Sequence, residues 1–432
     1  MTEYELTCLG SGLRLPDSRN TILLGNSSAP QPALLRTEYQ ARRLQLLDGD
    51  QGIYRFRNWL PLSRSLSGSS APITYKSNGL ARELGLSNLY VTFSGYWPER
   101  DALMLTGTFK ECEAFSVCGR IPDDFPESLV VASAGNTARA FIHVCSQNRI
   151  PAVVVVPEKN LGAVWSPFPV HDCVTVVAAG DGADYSDAID LAAVIASLEG
   201  YIAEGGARNV ARRDGMGTTV LSAVTTIGRI PDYYFQAIGS GTGAIAAWEA
   251  NRRFLADGRF GRTTMKLMLS QNAPFLLMHD SWKLRSRALV HCDEATEKAQ
   301  INQIYAAVLS NRNPPYSVTG GLYDALCATD GDIFAVENHD ARDAALLFEE
   351  TEGIDIAEAA AVAVASLMTA VREDRIERDA TIMLNITGGG MRRFAREQKT
   401  YAVAPRLVVS RAETHPETVA RLLMDAPDGA RR

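Results

Sequence analysis

Residues 128–138 read SLVVASAGNTA, and after a stretch of helical spacing residues 151–156 read PAVVVV. Each apolar run is short, continuous and rich in β-branched side chains. A strand with one buried face alternates apolar and polar residues, so an uninterrupted run points to burial on both faces. The intervening 137–148 is long enough for a helix, and the unit reads strand–helix–strand with parallel strands.

The same pattern extends in both directions. Towards the N-terminus lie helix 77–84, strand 88–93 and helix 110–120, the last opened by the loop TGTFK. Strand 174–178 and helices 184–199 and 217–228 follow the quoted unit. Then come strand 233–238 (YYFQAI), the turn GSGTG, helix 243–256 and strand 265–269. Helices 294–309 and 321–328, strand 332–336, helices 339–350 and 355–371, and strand 381–386 (TIMLNI) complete the series. The spacing predicts an α/β protein with parallel sheets covered by helices. Ligands in such folds sit at the carboxyl ends of strands, which selects the loops 133–137, 239–243 and 387–390. The first 50 residues show no sustained period apart from a helix-like stretch near 33–47, and the tail from Pro416 reads as a short helix that frays at APDGARR.

Composition narrows the function. At about 150 residues per domain, 432 residues make about three units, or two large ones. Apolar residues at 46% and charged residues at 22% belong to an ordinary folded chain. The formal charge of −7 argues against nucleic-acid binding through counterion release. No apolar run approaches the roughly 18 residues of a membrane helix. The first ten residues, MTEYELTCLG, carry acids where a signal peptide carries a basic patch. Seven cysteines in no regular pattern suit reduced thiols in the cytoplasm. A zinc ribbon around Cys8 would need a second cysteine three residues on, where Ser11 stands, so no metal site is expected.

Four loops could carry chemistry. In Gly239-Ser240-Gly241-Thr242-Gly243 the glycines let backbone N–H groups approach a phosphate, and the helix N-terminus adds favourable charge. The same turn could serve a dinucleotide, but the acid such sites use about 20 residues on is poorly met by Asp257. Its plain alternative is a tight strand–helix turn with no ligand. Ser133-Ala134-Gly135-Asn136-Thr137 has the same placement and suits a carboxylate or phosphate oxygen; its plain alternative is a helix cap. Lys110 is one of only seven lysines and follows a Gly-containing turn and Phe109. Most lysines are solvated, but apolar neighbours would lower its pKa and free an amine for Schiff-base chemistry. Asn385-Ile386-Thr387-Gly388-Gly389-Gly390 again ends a strand and permits close backbone approach.

In that order, the four loops resemble the fold-type-II pyridoxal-phosphate enzymes of the threonine synthase family. TGTFK (106–110) and SAGNTA (133–138) are specific together, and the resemblance covers roughly residues 50–410. GIYRFRNWLP (52–61) and QNAPFLLMHDSW (271–282) look closer to the cysteate synthase branch than to threonine synthase itself. The resemblance implies the tryptophan synthase β-like fold: two open, mostly parallel sheets covered by helices. It divides the chain into an N-terminal extension with a degenerate, zinc-free ribbon (1–50), a large cofactor-binding domain (51–125 and 231–415), a smaller α/β domain (126–230) and a tail (416–432).

It also implies site roles. Lys110 would join the cofactor aldehyde as an internal aldimine, Asn136 would bond the pyridine 3′-oxygen, and Gly239, Ser240, Gly241, Thr242 and Gly243 would hold the pyridoxal 5′-phosphate group. Thr387 would face the pyridine nitrogen, and Ser133, Gly135 and Thr137 would clamp the substrate carboxylate. GMGTT (215–219) corresponds to a family segment near the active site. A neutral hydroxyl at the pyridine nitrogen makes the ring a weaker electron sink, which favours expelling a leaving group over transamination.

The implied reaction is β-replacement through an aminoacrylate: O-phospho-L-serine and sulfite give L-cysteate and phosphate. Its partners are small molecules, a phosphorylated amino acid and an anionic nucleophile, and the family's habit implies a homodimer. Arg55, Arg57, Arg64, Arg392 and Arg393 are candidates for anion recognition, each with a surface ion pair as the plain alternative. The alternatives are threonine synthase, another β-substituting nucleophile, a non-catalytic cofactor-fold protein, and an NAD(P)-dependent oxidoreductase built on the GSGTG turn.

Overall fold

The continuous valine runs of the quoted unit are explained by what covers them. A computed structural model, which describes residues 2–17 and 21–425, places them in a five-stranded, all-parallel sheet. Its order is Tyr201–Ala203, Ser128–Ala132, Ala152–Pro157, Val174–Ala179 and Leu407–Val409. Val130, Val153, Val155 and Val177 pack with Ala188, Leu191 and Ile195 of helix Tyr185–Ala196. Their chain neighbours Leu129, Val131, Val154 and Val156 point the other way, into a core that includes Phe141, Ile142 and Cys145 of helix Asn136–Asn148. Both faces are dry, and each fully buried valine contributes about 1.5–3 kcal/mol.

A second sheet has six strands in the order Asp332–Val336, Lys266–Asn272, Tyr233–Ala237, Thr381–Ile386, Asn88–Phe93 and Ile73–Lys76. The first five are parallel and the edge strand Ile73–Lys76 is antiparallel. One face carries the alanine-rich helix Glu358–Arg372, whose small side chains let it lie close to the strands. The other carries helices Val210–Ile227 and Thr242–Asp257. The chain is thus an α/β protein with two open, mostly parallel sheets.

Helix Lys110–Arg120 packs on helices Val210–Ile227 and Asn136–Asn148 and so links the two sheets. A Cβ on Gly215 would lie 2.5 Å from the Cys112 carbonyl oxygen, so only glycine allows this approach. GMGTT therefore lies within a helix. That helix starts at Val210, seven residues before the expected 217, because the Asn209 side chain accepts from the Ala211 N–H at 3.0 Å and caps it.

Two expectations are corrected. The stretch near 33–47 is not helical: Leu35–Tyr39 is a strand, paired with Tyr4–Cys8, which in turn pairs with Arg14–Leu15. Its inward Thr37 donates to Asp214 at 2.6 Å, and this tertiary bond favours an extended backbone. The expected helix 294–309 ends at Ile301. There the side chains of Asn338 and Asn272 accept from the Tyr305 and Ala306 N–H groups, at 2.8 and 2.9 Å, and draw them out of helical bonding. The C-terminal helix spans Pro416–Asp425; APDGARR lies outside the described residues.

No described helix is long and apolar enough to cross a membrane.

Candidate active site

Lys110 opens its helix because the preceding loop is fastened on both sides. The buried Glu111 carboxylate accepts from the Thr106 N–H and hydroxyl, both at 2.9 Å. Burial raises the Glu111 pKa to about 7, and the Thr106 bonds oppose that. On the far side the Phe109 N–H donates to the Thr387 carbonyl at 3.0 Å, and the Gly389 N–H donates to the Gly107 carbonyl at 3.1 Å. The loops TGTFK and TGGG are thereby stitched together, with Thr108 opposite Gly388. A Cβ on Gly388 would sit 2.9 Å from the Thr108 side chain, so this glycine serves loop-to-loop approach.

The Lys110 side chain is 21% exposed; its Nζ lies 3.3 Å from Glu113 Oε2 and 5.0 Å from the Phe109 ring centre. Burial lowers its pKa; the Glu113 carboxylate opposes the shift and the Arg212 guanidinium adds to it. Glu113 is fully buried and shared. Its Oε1 accepts from the Thr137 hydroxyl at 2.9 Å and lies 3.2 Å from Arg212, which also pairs with buried Glu204. A chain of alternating charge, Lys110–Glu113–Arg212–Glu204, thus joins the lysine to the loop at 133–137.

In that loop the Ser133 hydroxyl accepts from the Gly135 and Ala138 N–H groups at 3.1 and 2.9 Å. Thr137 is committed to Glu113. The N–H groups of Ala134, Asn136 and Thr137 donate to no group among the described residues, so the loop's donor capacity is mainly backbone. The Asn136 side-chain oxygen accepts from Arg139, which leaves its amide nitrogen as a donor.

The turn 239–243 ends strand Tyr233–Ala237 and opens helix Thr242–Asp257. The N–H groups of Ser240, Gly241 and Gly243 have no partner among the described residues, and the Ser240 and Thr242 hydroxyls bond each other at 2.8 Å. Three free donors at the positive end of a 16-residue helix form an anion cradle. Phe109 packs against Met216 and against Ala246, which lies one turn into that helix. The cradle, the lysine and the triple-glycine loop therefore converge. Thr387 is buried, and its hydroxyl bonds nothing among the described residues. Beside it the buried Thr108 and Ser94 hydroxyls also lack partners among the described residues. Unsatisfied buried donors clustered at strand ends suit a polar ring lodged there.

Asp257, the acid that a dinucleotide would need, is occupied: it accepts from the Leu44 N–H at 2.8 Å and from Arg259 at 2.6 Å. Most of the arginines read from the sequence are engaged as well. Arg57 pairs with Asp50, Arg64 with Asp123, Arg392 with Glu349, and Arg393 with Glu99 and Glu397. Arg55 lies over the Phe56 ring. No cluster of three or more His, Cys, Asp or Glu side chains suited to a metal occurs among the described residues.

Sequence reasoning missed Glu113, Arg212 and Arg139. Glu113 was within reach, since it lies three residues after Lys110 on one helix face. The arginines come from two other helices, and nothing in the local sequence distinguishes them from surface charges.

The family model described as "Pyridoxal-phosphate dependent enzyme" matches residues 73–388. The chain is 49% identical over 382 residues to a cysteate synthase of Methanosarcina mazei, covering 88% of this chain and 92% of that protein. It is 49% identical over 406 residues to that of Methanosarcina barkeri, covering 94% and 96%. For that of Methanocella paludicola the values are 46% over 426 residues, covering 98% of each. Among solved structures, a processed threonine deaminase isoform 2 from Solanum lycopersicum superposes with a TM-score of 0.54 at 13% identity, over 75% of this chain and 87% of that one. Maize serine racemase gives 0.53 at 13%, over 74% and 88%. These two likenesses concern the fold.

Proposed function

The chain belongs to the pyridoxal-phosphate dependent enzymes, and from that premise we propose that it is a cysteate synthase, converting O-phospho-L-serine and sulfite to L-cysteate and phosphate. The observation that carries this reading is the convergence on one partly buried amine, Lys110, of two loops with free backbone donors, in a chain 49% identical to cysteate synthases over nearly its whole length.

The free donors and orphaned hydroxyls fit the cofactor. Lys110 would hold its aldehyde carbon, Ser240, Gly241 and Gly243 its phosphate, Asn136 its ring oxygen, and Thr387 its ring nitrogen. Bound there, pyridoxal phosphate supplies an electron sink for the bond broken at the substrate α-carbon.

The rest falls to the chain's own groups. The N–H groups of Ala134, Asn136 and Thr137 would hold the substrate carboxylate and fix which α-bond faces Lys110. Once the substrate amine has replaced it at the aldehyde carbon, Lys110 Nζ, kept poorly solvated, would take the α-proton and later return it, while Glu113 balances the charge that the nitrogen gains. The β-carbon–oxygen bond breaks with its electron pair leaving on phosphate. The sulfur lone pair then forms the β-carbon–sulfur bond, so nothing is oxidised or reduced. The strand-end loops and Phe109 keep bulk water from this carbon.

On this reading residues 126–230 form a smaller unit carrying the carboxylate loop and residues 51–125 and 231–415 the larger unit, except that strand Leu407–Val409 joins the smaller sheet and helix Val210–Ile227 covers the larger one; the enzyme works in the cytoplasm as a homodimer. The oxidoreductase reading falls with the family match and with Asp257 engaged elsewhere.

The test is phosphate release and amino-acid product from O-phospho-L-serine with protein loaded with pyridoxal phosphate. Sulfite-dependent release with cysteate formed is expected. Release without sulfite, ending in pyruvate, would point to another nucleophile. No release would reject phosphoserine and turn attention to homoserine phosphate.

A further inference from the structure

A reaction that admits one oxyanion and expels another needs a cation at the site that is not already neutralised. Arg57, Arg64, Arg392 and Arg393 fail this requirement through their ion pairs, Arg55 is exposed over the Phe56 ring, and Arg212 fails it through Glu113 and Glu204. Arg139 is different. It lies on helix Asn136–Asn148, two residues after the loop at 133–137. Its guanidinium forms no ion pair among the described residues. One terminal nitrogen donates to the Asn136 side-chain oxygen, and its Nε is buried without a partner among the described residues.

Arg139 is also held in place. Its guanidinium carbon lies 4.8 Å from the Trp165 ring centre, and Trp165 packs on Phe394, 5.3 Å away, in the helix that follows the triple glycine. An indole at this distance attracts the cation through its ring face and takes none of its N–H donors. The acid whose charge it feels is Glu358, next to Ala357, whose N–H donates to the Gly388 carbonyl at 2.9 Å. Arg139 therefore stands where the small-sheet loop meets the triple-glycine loop. Burial lowers its pKa to about 10, which leaves it charged at neutral pH but poorly solvated.

Building on the β-replacement reading, we propose that Arg139 is the oxyanion anchor of the site, binding the phosphate of the incoming substrate and then the sulfite that replaces it. Phosphate esters and sulfite share a pyramidal set of anionic oxygens that a guanidinium edge meets with two donors. One group serving both anions in turn explains how leaving group and nucleophile reach the same carbon from a chain of net charge −7.

The test uses the cofactor-loaded enzyme and calorimetric titration with inorganic phosphate, O-phospho-L-serine and L-serine, alongside the KM for sulfite. Arg139→Gln is expected to weaken phosphate and phosphoserine at least tenfold and to raise the sulfite KM at least tenfold. L-Serine has the same carboxylate and amine without the phosphate, and its affinity should stay within about twofold. Arg139→Lys keeps the charge but loses the fork and should fall between. If the Gln variant does not fold, the Lys variant decides, with phosphate weakened severalfold and serine unchanged. Unchanged phosphate affinity, or serine and phosphoserine weakened alike, would overturn the anchor and leave Arg139 a support for Asn136. If the wild type makes no cysteate while phosphate binding still depends on Arg139, the β-replacement reading fails and the anion site stands.

Discussion

Lys110 Nζ lies 3.3 Å from Glu113 Oε2, three residues along the same helix, and Glu113 is in turn shared with Thr137 and Arg212. The carboxylate thus holds both the amine and the loop that would take the substrate carboxylate. Burial favours the neutral amine and Glu113 the charged one; burial is the larger influence.

Glu113→Gln removes the group that opposes the downward shift of Lys110, so its pKa should fall further. The rate at which apoprotein takes up pyridoxal phosphate depends on unprotonated Lys110, and the midpoint of its pH profile is expected to move down in the variant. A midpoint that stays put or rises would contradict the assignment. The variant should also lose about 3–5 kcal/mol of stability, because Arg212 and Thr137 lose a buried anionic partner. Chemical denaturation measures this.

Lys110→Ala should reduce turnover by at least about 10²–10⁴-fold, the range for a positioned proton-transfer group. Its fold, followed by circular dichroism, should be retained. The variant also isolates a linkage effect. A lysine with a lowered folded-state pKa binds fewer protons when folded, so it costs stability below that pKa. The cost fades as pH rises towards the ordinary lysine value. The stability gap between wild-type apoprotein and the Ala variant should therefore shift in the wild type's favour as pH rises through that window.

Gly215→Ala tests the packing that sets the lysine in place. The added Cβ would lie 2.5 Å from the Cys112 carbonyl oxygen, so helices Lys110–Arg120 and Val210–Ile227 must move apart. Overpacking of this kind costs about 1–3 kcal/mol. A thermal melt should show the loss, together with weaker cofactor retention. An unchanged melt would mean that the two helices slide without cost.

How far the sequence exposed this site depended on whether the signal was local. Val153–Val156 and Ile382–Leu384 announced buried parallel strands because two-sided burial leaves an uninterrupted apolar run. The four loops stood out because small residues gather there at strand ends and a helix start, although plain turns and helix caps use the same residues. The strand Leu35–Tyr39 was not, since its Thr37 is held by Asp214, 177 residues away. The end of helix Glu294–Ile301 was equally hidden, being set by Asn272 and Asn338 from other elements. Arg139 and Arg212 look alike in sequence; only the fold leaves one without an ion pair among the described residues and gives the other two.

Glu111→Gln carries the last prediction. Burial raises the Glu111 pKa from 4.5 to about 7, so the folded state holds this proton more tightly than the unfolded chain does. The sign is opposite to that of a salt-bridged acid. The penalty is absent below about pH 4.5, grows as pH rises between the two values, and is complete above about 7. At about 1.4 kcal/mol per pKa unit, its full size is on the order of 3 kcal/mol. A glutamine keeps an oxygen to accept from the Thr106 N–H and hydroxyl and never ionises. Urea denaturation at pH 5 and pH 8 should therefore show the variant gaining on the wild type by a few kcal/mol over that interval. The gain would also show that the loop in front of Lys110 is fastened by a carboxyl group that retains its proton up to near neutrality. A stability difference independent of pH would mean instead that Glu111 ionises freely and that the Thr106 bonds, not burial, govern its titration.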